Sequence, residues 1–294
     1  MSFRKILCPI DFSPTSDEAL QVATRLATEH DAELVITHVW YLPPAAFAGE
    51  YTYPAAMIND IMGSAESSLA AAVAAARAQG TGRVSSLLLE GQPWMTLVQQ
   101  IENVKDIDLV VLGTHGRSGI SRLFLGSVAE MVVRHAPCTV LAVPTNGGKL
   151  FQRVLCPVDF SAASRQALGL AVDLARAPDS SITLLHVIEP PHVYSEEPLA
   201  LQIDGGIVAR SQTLLDQWAT DVTAKHRIKA SAEIRIGRPG AEIREMIEQH
   251  GPFDLVAMGS HGRTGFRRFF LGSVAEKTLR HTHRAVLVAR EPRS

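Results

Sequence analysis

The 294-residue chain has only three cysteines, an odd number with no Cys-x2-Cys spacing, which argues against a disulfide framework or a zinc site. Cys8 and Cys156 fall at equivalent strand positions and read as small buried hydrophobes. No apolar run approaches the ~18 residues needed to span a bilayer. The N-terminal run around Ile6 to Ile10 is too short for a signal peptide and reads as a first strand. A cytoplasmic location is the resulting expectation. Neither charge dominates: 28 Lys+Arg stand against 30 Asp+Glu, and a net −2 argues against general nucleic-acid binding. The acidic excess lies in the first half and the basic excess in the second, which suits either a polyanion near the second half or docking between the halves.

Several catalytic signatures are missing as well. Without Gly-x4-Gly-Lys-Ser/Thr the chain is not a Walker-type NTPase. Without Gly-x-Ser-x-Gly or His-Glu-x2-His the common hydrolase readings fall away. A dinucleotide enzyme would carry Gly-x-Gly-x2-Gly after its first strand, where this chain has Pro9-Ile10-Asp11. Asp11 would crowd a pyrophosphate at that turn.

What is present is a repeat. Lys5 to Ser13 matches Arg153 to Ser161 at an offset of 148, and Thr37-His38-Val39 matches Leu185-His186-Val187. Beyond that the offset is 146: Gly91-Gln92-Pro93 matches Gly237-Arg238-Pro239, and Gly113-Thr114-His115-Gly116 matches Gly259-Ser260-His261-Gly262. The net loss of two residues is expected in a surface connection. Strands are predicted near 4–10, 33–40, 83–89, 108–113 and 139–143, and helices near 15–29, 57–79, 94–103 and 124–135. Alternation of this kind implies βαβ crossovers and a parallel sheet covered on both faces. Two domains follow, 1–145 and 150–294, joined by a short linker around Pro144 to Lys149. Each fifth strand is a long apolar edge, so a contact between domains is expected there.

In a doubly wound sheet, ligands bind beyond the carboxyl ends of the strands where the winding reverses. Asp11 and Asp159, just past the first strands, could accept hydrogen bonds from a ribose or a base amine. Val39 and Val187 end the second strands, where backbone could pair with an adenine edge. After each fourth strand comes the glycine loop, which closes on Gly126-Ser127-Val128 or Gly272-Ser273-Val274 at or near a helix start. Free N–H groups there suit a phosphate. Glycine fits because backbone must approach phosphate oxygens closely or adopt positive φ. On spacing alone, the same glycines also fit structural tight turns.

The Cys-Pro-Ile-Asp-Phe-Ser opening, the His-Val after strand two and Gly-x2-Gly-x9-Gly-Ser resemble the universal stress protein family, in its tandem-domain, ATP-binding branch. The resemblance covers nearly the whole chain, twice. It implies two tandem Rossmann-like α/β domains of the adenine nucleotide alpha hydrolase-like kind, each with a five-stranded parallel sheet. It further implies ATP, ADP or AMP across the switch point, touched by Pro9, Asp11, Val39, Gly113, Gly116, Gly126, Ser127 and Val128. The second set is Pro157, Asp159, Val187, Gly259, Gly262, Gly272, Ser273 and Val274. Arg117 and Arg263 are placed either as phosphate clamps or as solvated charge. Arg267-Arg268 adds a cation near the second loop, so tighter binding is expected there.

His115 and His261 could carry protons or touch phosphate, though a surface histidine supporting the turn is the favoured reading. His281-Thr282-His283 reads as a helix end plus one exposed histidine rather than a metal pair. Tyr41 to Pro54 fits a lid, an unstructured connection or a partner surface. Two functions survive. One is a nucleotide-binding stress-response or signalling module with nucleotide as conformational ligand. The other is a slow ATPase using Mg2+ or Mn2+ to bridge phosphates. The lack of a catalytic base or carboxylate cluster favours the module. One chain with two copies would be an intrachain pseudo-dimer; a further homodimer and the protein partner stay open.

Overall fold

A computed structural model describes residues 3–42, 53–104, 106–116, 125–145, 151–175, 179–190, 205–261 and 271–290. The chain divides into two compact units, residues 2–148 and 149–291. In the first, β1 (Lys5–Pro9), β2 (Glu33–Trp40), β3 (Val84–Glu90), β4 (Leu109–Gly113) and β5 (Thr139–Val143) alternate with α1 (Pro14–His30), α2 (Ala55–Ala78), α3 (Pro93–Asn103) and α4 (Ser127–His135). β1 pairs in parallel with both β2 and β4, β2 with β3, and β4 with β5. The order is therefore 3-2-1-4-5, and the winding reverses between β1 and β4. Burial on both faces explains the unbroken apolar runs: Ile6, Leu7, Cys8 and Val140 to Val143 have no exposed surface.

The second unit repeats this plan. β6 (Arg153–Pro157), β7 (Ser181–Ile188), β8 (Lys229–Ile236), β9 (Leu255–Gly259) and β10 (Ala285–Ala289) alternate with α5 (Ala162–Leu174), α6 (Gly205–His226), α7 (Pro239–Gln249) and α8 (Ser273–His281). β6 pairs with β7 and β9, β7 with β8, and β9 with β10, all parallel. The linker from 146 on, and residues 43–52 of the Tyr41 to Pro54 segment, lie outside the described residues.

Local devices fix the first turn of each unit. Ser13 caps α1 by accepting from the Ser16 N–H, and Ser161 caps α5 by accepting from that of Ser164. Just before each cap, Phe12 (φ 60°) and Phe160 (φ 64°) take left-handed backbone that bulky residues rarely adopt. Their rings lie 4.5 Å from His38 and His186, whose Nδ1 atoms donate to the carbonyls of Ile10 and Val158 at 2.8 and 2.7 Å. At the opposite end of the sheet, the Asp108 carboxylate accepts from the Arg4 and Lys5 N–H groups at 2.7 and 3.2 Å. Asp254 does the same for Gln152 and Arg153, at 2.9 Å each.

The units differ in their aromatic contacts. In the first, Trp94 stacks on His135 at 5.6 Å. In the second, Phe160 meets Trp218 edge-on at 5.5 Å, and the Arg165 guanidinium lies 4.3 Å over the same indole. Among the described residues, no helix is long and apolar enough to cross a membrane.

Candidate functional site

At the carboxyl end of β1 and β4, at the reversal of winding, lies a cleft of about 380 Å³. It brings together Pro9, Asp11, Val39, Gly113, Gly116, Gly126, Ser127 and Val128, residues that are up to about 120 positions apart in the chain. The second unit has a cleft of about 270 Å³, lined by Pro157, Asp159, Val187, Gly259, Gly272, Ser273 and Val274. Arg117, Gly262, Arg263 and the Arg267-Arg268 pair lie outside the described residues.

Two chain turns supply most of the polar groups of each cleft. The turn after β1 presents Asp11, whose Oδ1 accepts from the Ser13 N–H at 3.1 Å. Asp159 accepts from both the N–H and the hydroxyl of Ser161, at 3.1 and 2.6 Å. After β4, the Thr114 N–H donates to Val143 at 3.0 Å, and the Gly126 N–H donates back to Thr114 at 2.7 Å. The first bond ties the start of the loop to the end of β5, and the second ties the two ends of the loop together. Ser260 and Gly272 repeat both bonds at 2.9 and 2.8 Å. Gly126 and Gly272 are the N-caps of α4 and α8, without a capping side chain. The first-turn N–H groups at Ser127 and Ser273 therefore open at the cleft, where the helix dipole favours an anion.

The loop glycines are required for a reason the sequence did not show. None of Gly113, Gly116, Gly126, Gly259 or Gly272 has positive φ. A Cβ on Gly113 would lie 2.9 Å from the Thr15 carbonyl oxygen, and one on Gly259 would lie 2.9 Å from the Ala163 Cβ. Both packings bring a strand end, of β4 or β9, against the first turn of the unit's first helix, α1 or α5. A Cβ on Gly116 would lie 2.7 Å from Asp11 Oδ2. Glycine at 116 thus clears room for the carboxylate.

His115 and His261 are half-buried rather than on the surface. The Nδ1 of each shares a hydrogen bond with the preceding hydroxyl, Thr114 at 2.8 Å and Ser260 at 2.9 Å. These histidines support the turn, as expected, but from inside. His281 closes α8 and His283 is exposed.

Sequence reasoning missed the apolar wall. Pro93 and Leu97 of α3, Leu112 of β4 and Val132 of α4 line the first cleft, and Pro239, Ile243 and Met258 line the second. The repeated Gly-x-Pro at 91–93 and 237–239 was the available signal. Behind the second cleft, Leu155, Leu185, Ile243, Met246, Phe253 and Val256 form one buried cluster, against which Val187 and Val274 pack. Apolar residues sharing one cleft with a carboxylate and a helix N-terminus suit a ligand with an aromatic ring at one end and negative charge at the other.

The model of the universal stress protein family matches residues 2–144 and again 150–290. A universal stress protein of Mycobacterium tuberculosis is 28% identical, with 97% of this chain aligned to 96% of that one. A single-domain-sized relative, a universal stress protein of Methanocaldococcus jannaschii, is 34% identical over 48% of this chain and 82% of its own. The crystal structure of a universal stress protein from Archaeoglobus fulgidus has the same fold, with a TM-score of 0.70 over 99% of this chain and 98% of that one at 22% identity. Two matches in tandem, together spanning almost every residue, make this chain a member of the universal stress protein family.

Proposed function

We propose that each unit binds an adenine nucleotide in its cleft and that the protein acts as a stress-response or signalling module, with ATP, ADP or AMP as a conformational ligand. The observation that carries the reading is convergence. Every nucleotide-contact residue expected from sequence that falls among the described residues lines one of the two clefts. The apolar wall would hold the base, and the Val39 and Val187 backbone its edge. Asp11 and Asp159 would accept from the ribose hydroxyls. The first-turn N–H groups at Ser127 and Ser273 would receive the phosphates. The bound nucleotide supplies a charged tail whose contacts can bias one conformation over another.

Titration of the full-length protein with ATP tests this directly. Two equivalents bound without phosphate release support the module, and Asp11→Ala and Asp159→Ala should each weaken one of the two sites by roughly ten- to one-hundred-fold. Steady phosphate release abolished by Gly126→Ala with Gly272→Ala would replace the module by an ATPase. No binding and no rise in melting temperature with any adenine nucleotide would overturn nucleotide binding altogether.

A further inference from the structure

Sixteen positions line both clefts as matched pairs, and all but one conserve chemical character between the units. Ile10 pairs with Val158, Leu97 with Ile243, Leu112 with Met258, and Thr114 with Ser260. One pair does not: Thr37 on β2 stands where β7 has Leu185. Thr37 is fully buried, and its hydroxyl has no hydrogen-bond partner among the described residues. Strand alternation puts it on the same face as Val39, one step deeper in the cleft. Leu185, equally buried, belongs to the apolar cluster behind the second cleft.

A buried hydroxyl without a partner is destabilising in the free protein and becomes favourable when a bound group satisfies it. Leucine at the matching position rejects a polar atom and accepts a C–H. One other buried hydroxyl invites comparison: Thr278, the counterpart of Val132, also has no hydrogen-bond partner among the described residues. It does not line the second cleft, whereas Val132 lines the first. Of the two hydroxyls, only that of Thr37 belongs to a residue lining a cleft.

We propose that Thr37 is a specificity-determining residue that makes the first cleft hydrogen-bond a polar atom on the ligand's base, which the second cleft, with Leu185, cannot do. This rests on the nucleotide reading above. Consequently the two clefts of one chain rank purine nucleotides differently, and occupancy of one does not follow occupancy of the other.

The test uses the full chain with Asp159→Ala, so that binding reports on the first cleft, and ATP, GTP and 2-aminoadenosine triphosphate as probes. Thr37→Val, which keeps shape and removes the hydroxyl, should weaken the first cleft's preferred nucleotide by roughly ten- to one-hundred-fold. Thr37→Ser should restore most of that loss. Ligand-free Thr37→Val should melt no lower than its parent, since it removes an unpaired polar group, and this also reports that it folds. In an Asp11→Ala background, Leu185→Thr should shift the second cleft's ranking toward that of the first. Unchanged affinity and ranking in Thr37→Val, with one nucleotide still bound, would overturn this inference and leave nucleotide binding standing. Absence of binding in the unsubstituted protein would instead overturn the nucleotide reading, and this inference with it.

Discussion

Alanine at Gly113 and at Gly116 should fail in different ways, although the two glycines are three residues apart in one motif. At Gly113 the new methyl would sit 2.9 Å from the Thr15 carbonyl oxygen and 3.0 Å from both its carbon and its Cγ2. Two of those three atoms are backbone in the first turn of α1, so relief requires a strand end and a helix to part. Overpacking of that kind costs about 1–3 kcal/mol, and each kcal/mol lowers the melting temperature of a domain this size by roughly 2–4 °C. At Gly116 the methyl meets only Asp11 Oδ2, at 2.7 Å. A carboxylate can rotate away, so folding should hardly change. What changes is where the carboxylate points.

On the proposed function, a displaced Asp11 forfeits a hydrogen bond from the ribose to a charged acceptor, worth about 1.5–3 kcal/mol, or roughly ten- to one-hundred-fold in affinity. Calorimetric titration with ATP and thermal melts on both variants separate the two effects. The sharper check is a double-mutant cycle: Gly116→Ala should add little to Asp11→Ala, because both act through the same carboxylate. Full additivity, or equal losses of melting temperature in both glycine variants, would refute the reasoning.

Three further outcomes are expected. Leu155→Ala removes a fully buried side chain from the cluster behind the second cleft and should cost about 2–5 kcal/mol, read by urea unfolding of the second unit. Asp254→Ala leaves the Gln152 and Arg153 N–H groups without their shared acceptor; a loss of about 1–2 kcal/mol is expected, and Asp254→Asn should recover part of it. Burial pushes the Cys156 thiol up to about 12 from its ordinary 9.0, so the native thiol stays neutral while the unfolded one ionises above pH 9. Stability from this group is intact below pH 9 and declines as pH rises toward 12, by at most about 1.4 kcal/mol per unit. Cys156→Ala should flatten that decline in a pH series of urea midpoints, and an unchanged slope would contradict it.

The strands were legible because burial on both faces demands continuous apolar runs, and the repeat gave every run a second witness. Ends were less so: the fourth helix was expected from 124 but begins at Ser127, since Gly126 serves as its cap. The turn residues Asp11, Gly126 and Ser127 could be placed from topology alone. Leu97 and Leu112 could not, because nothing local distinguishes a cleft wall from core; Pro93 was marked only by the repeated Gly-x-Pro. Asp108 and Asp254 recur at the same offset as the glycine loops, yet their partners lie about 100 residues away. A carboxylate holding two distant N–H groups leaves no local pattern. The glycines illustrate the opposite hazard: their positions were evident, but the reason for them, crowding by Thr15 and Asp11, depends on contacts across the fold.

The three tryptophans are unevenly shared, with Trp40 and Trp94 in the first unit and Trp218 in the second. Trp94 follows Pro93, which lines the first cleft, and Trp218 touches Phe160, which follows Asp159 of the second. Each indole is thus one residue or one ring away from its own cleft. A chain carrying Trp40→Phe and Trp94→Phe would emit from the second unit alone, and Trp218→Phe would leave only the first. Intrinsic fluorescence can therefore follow the two clefts as independent optical channels in a single molecule, with no attached dye.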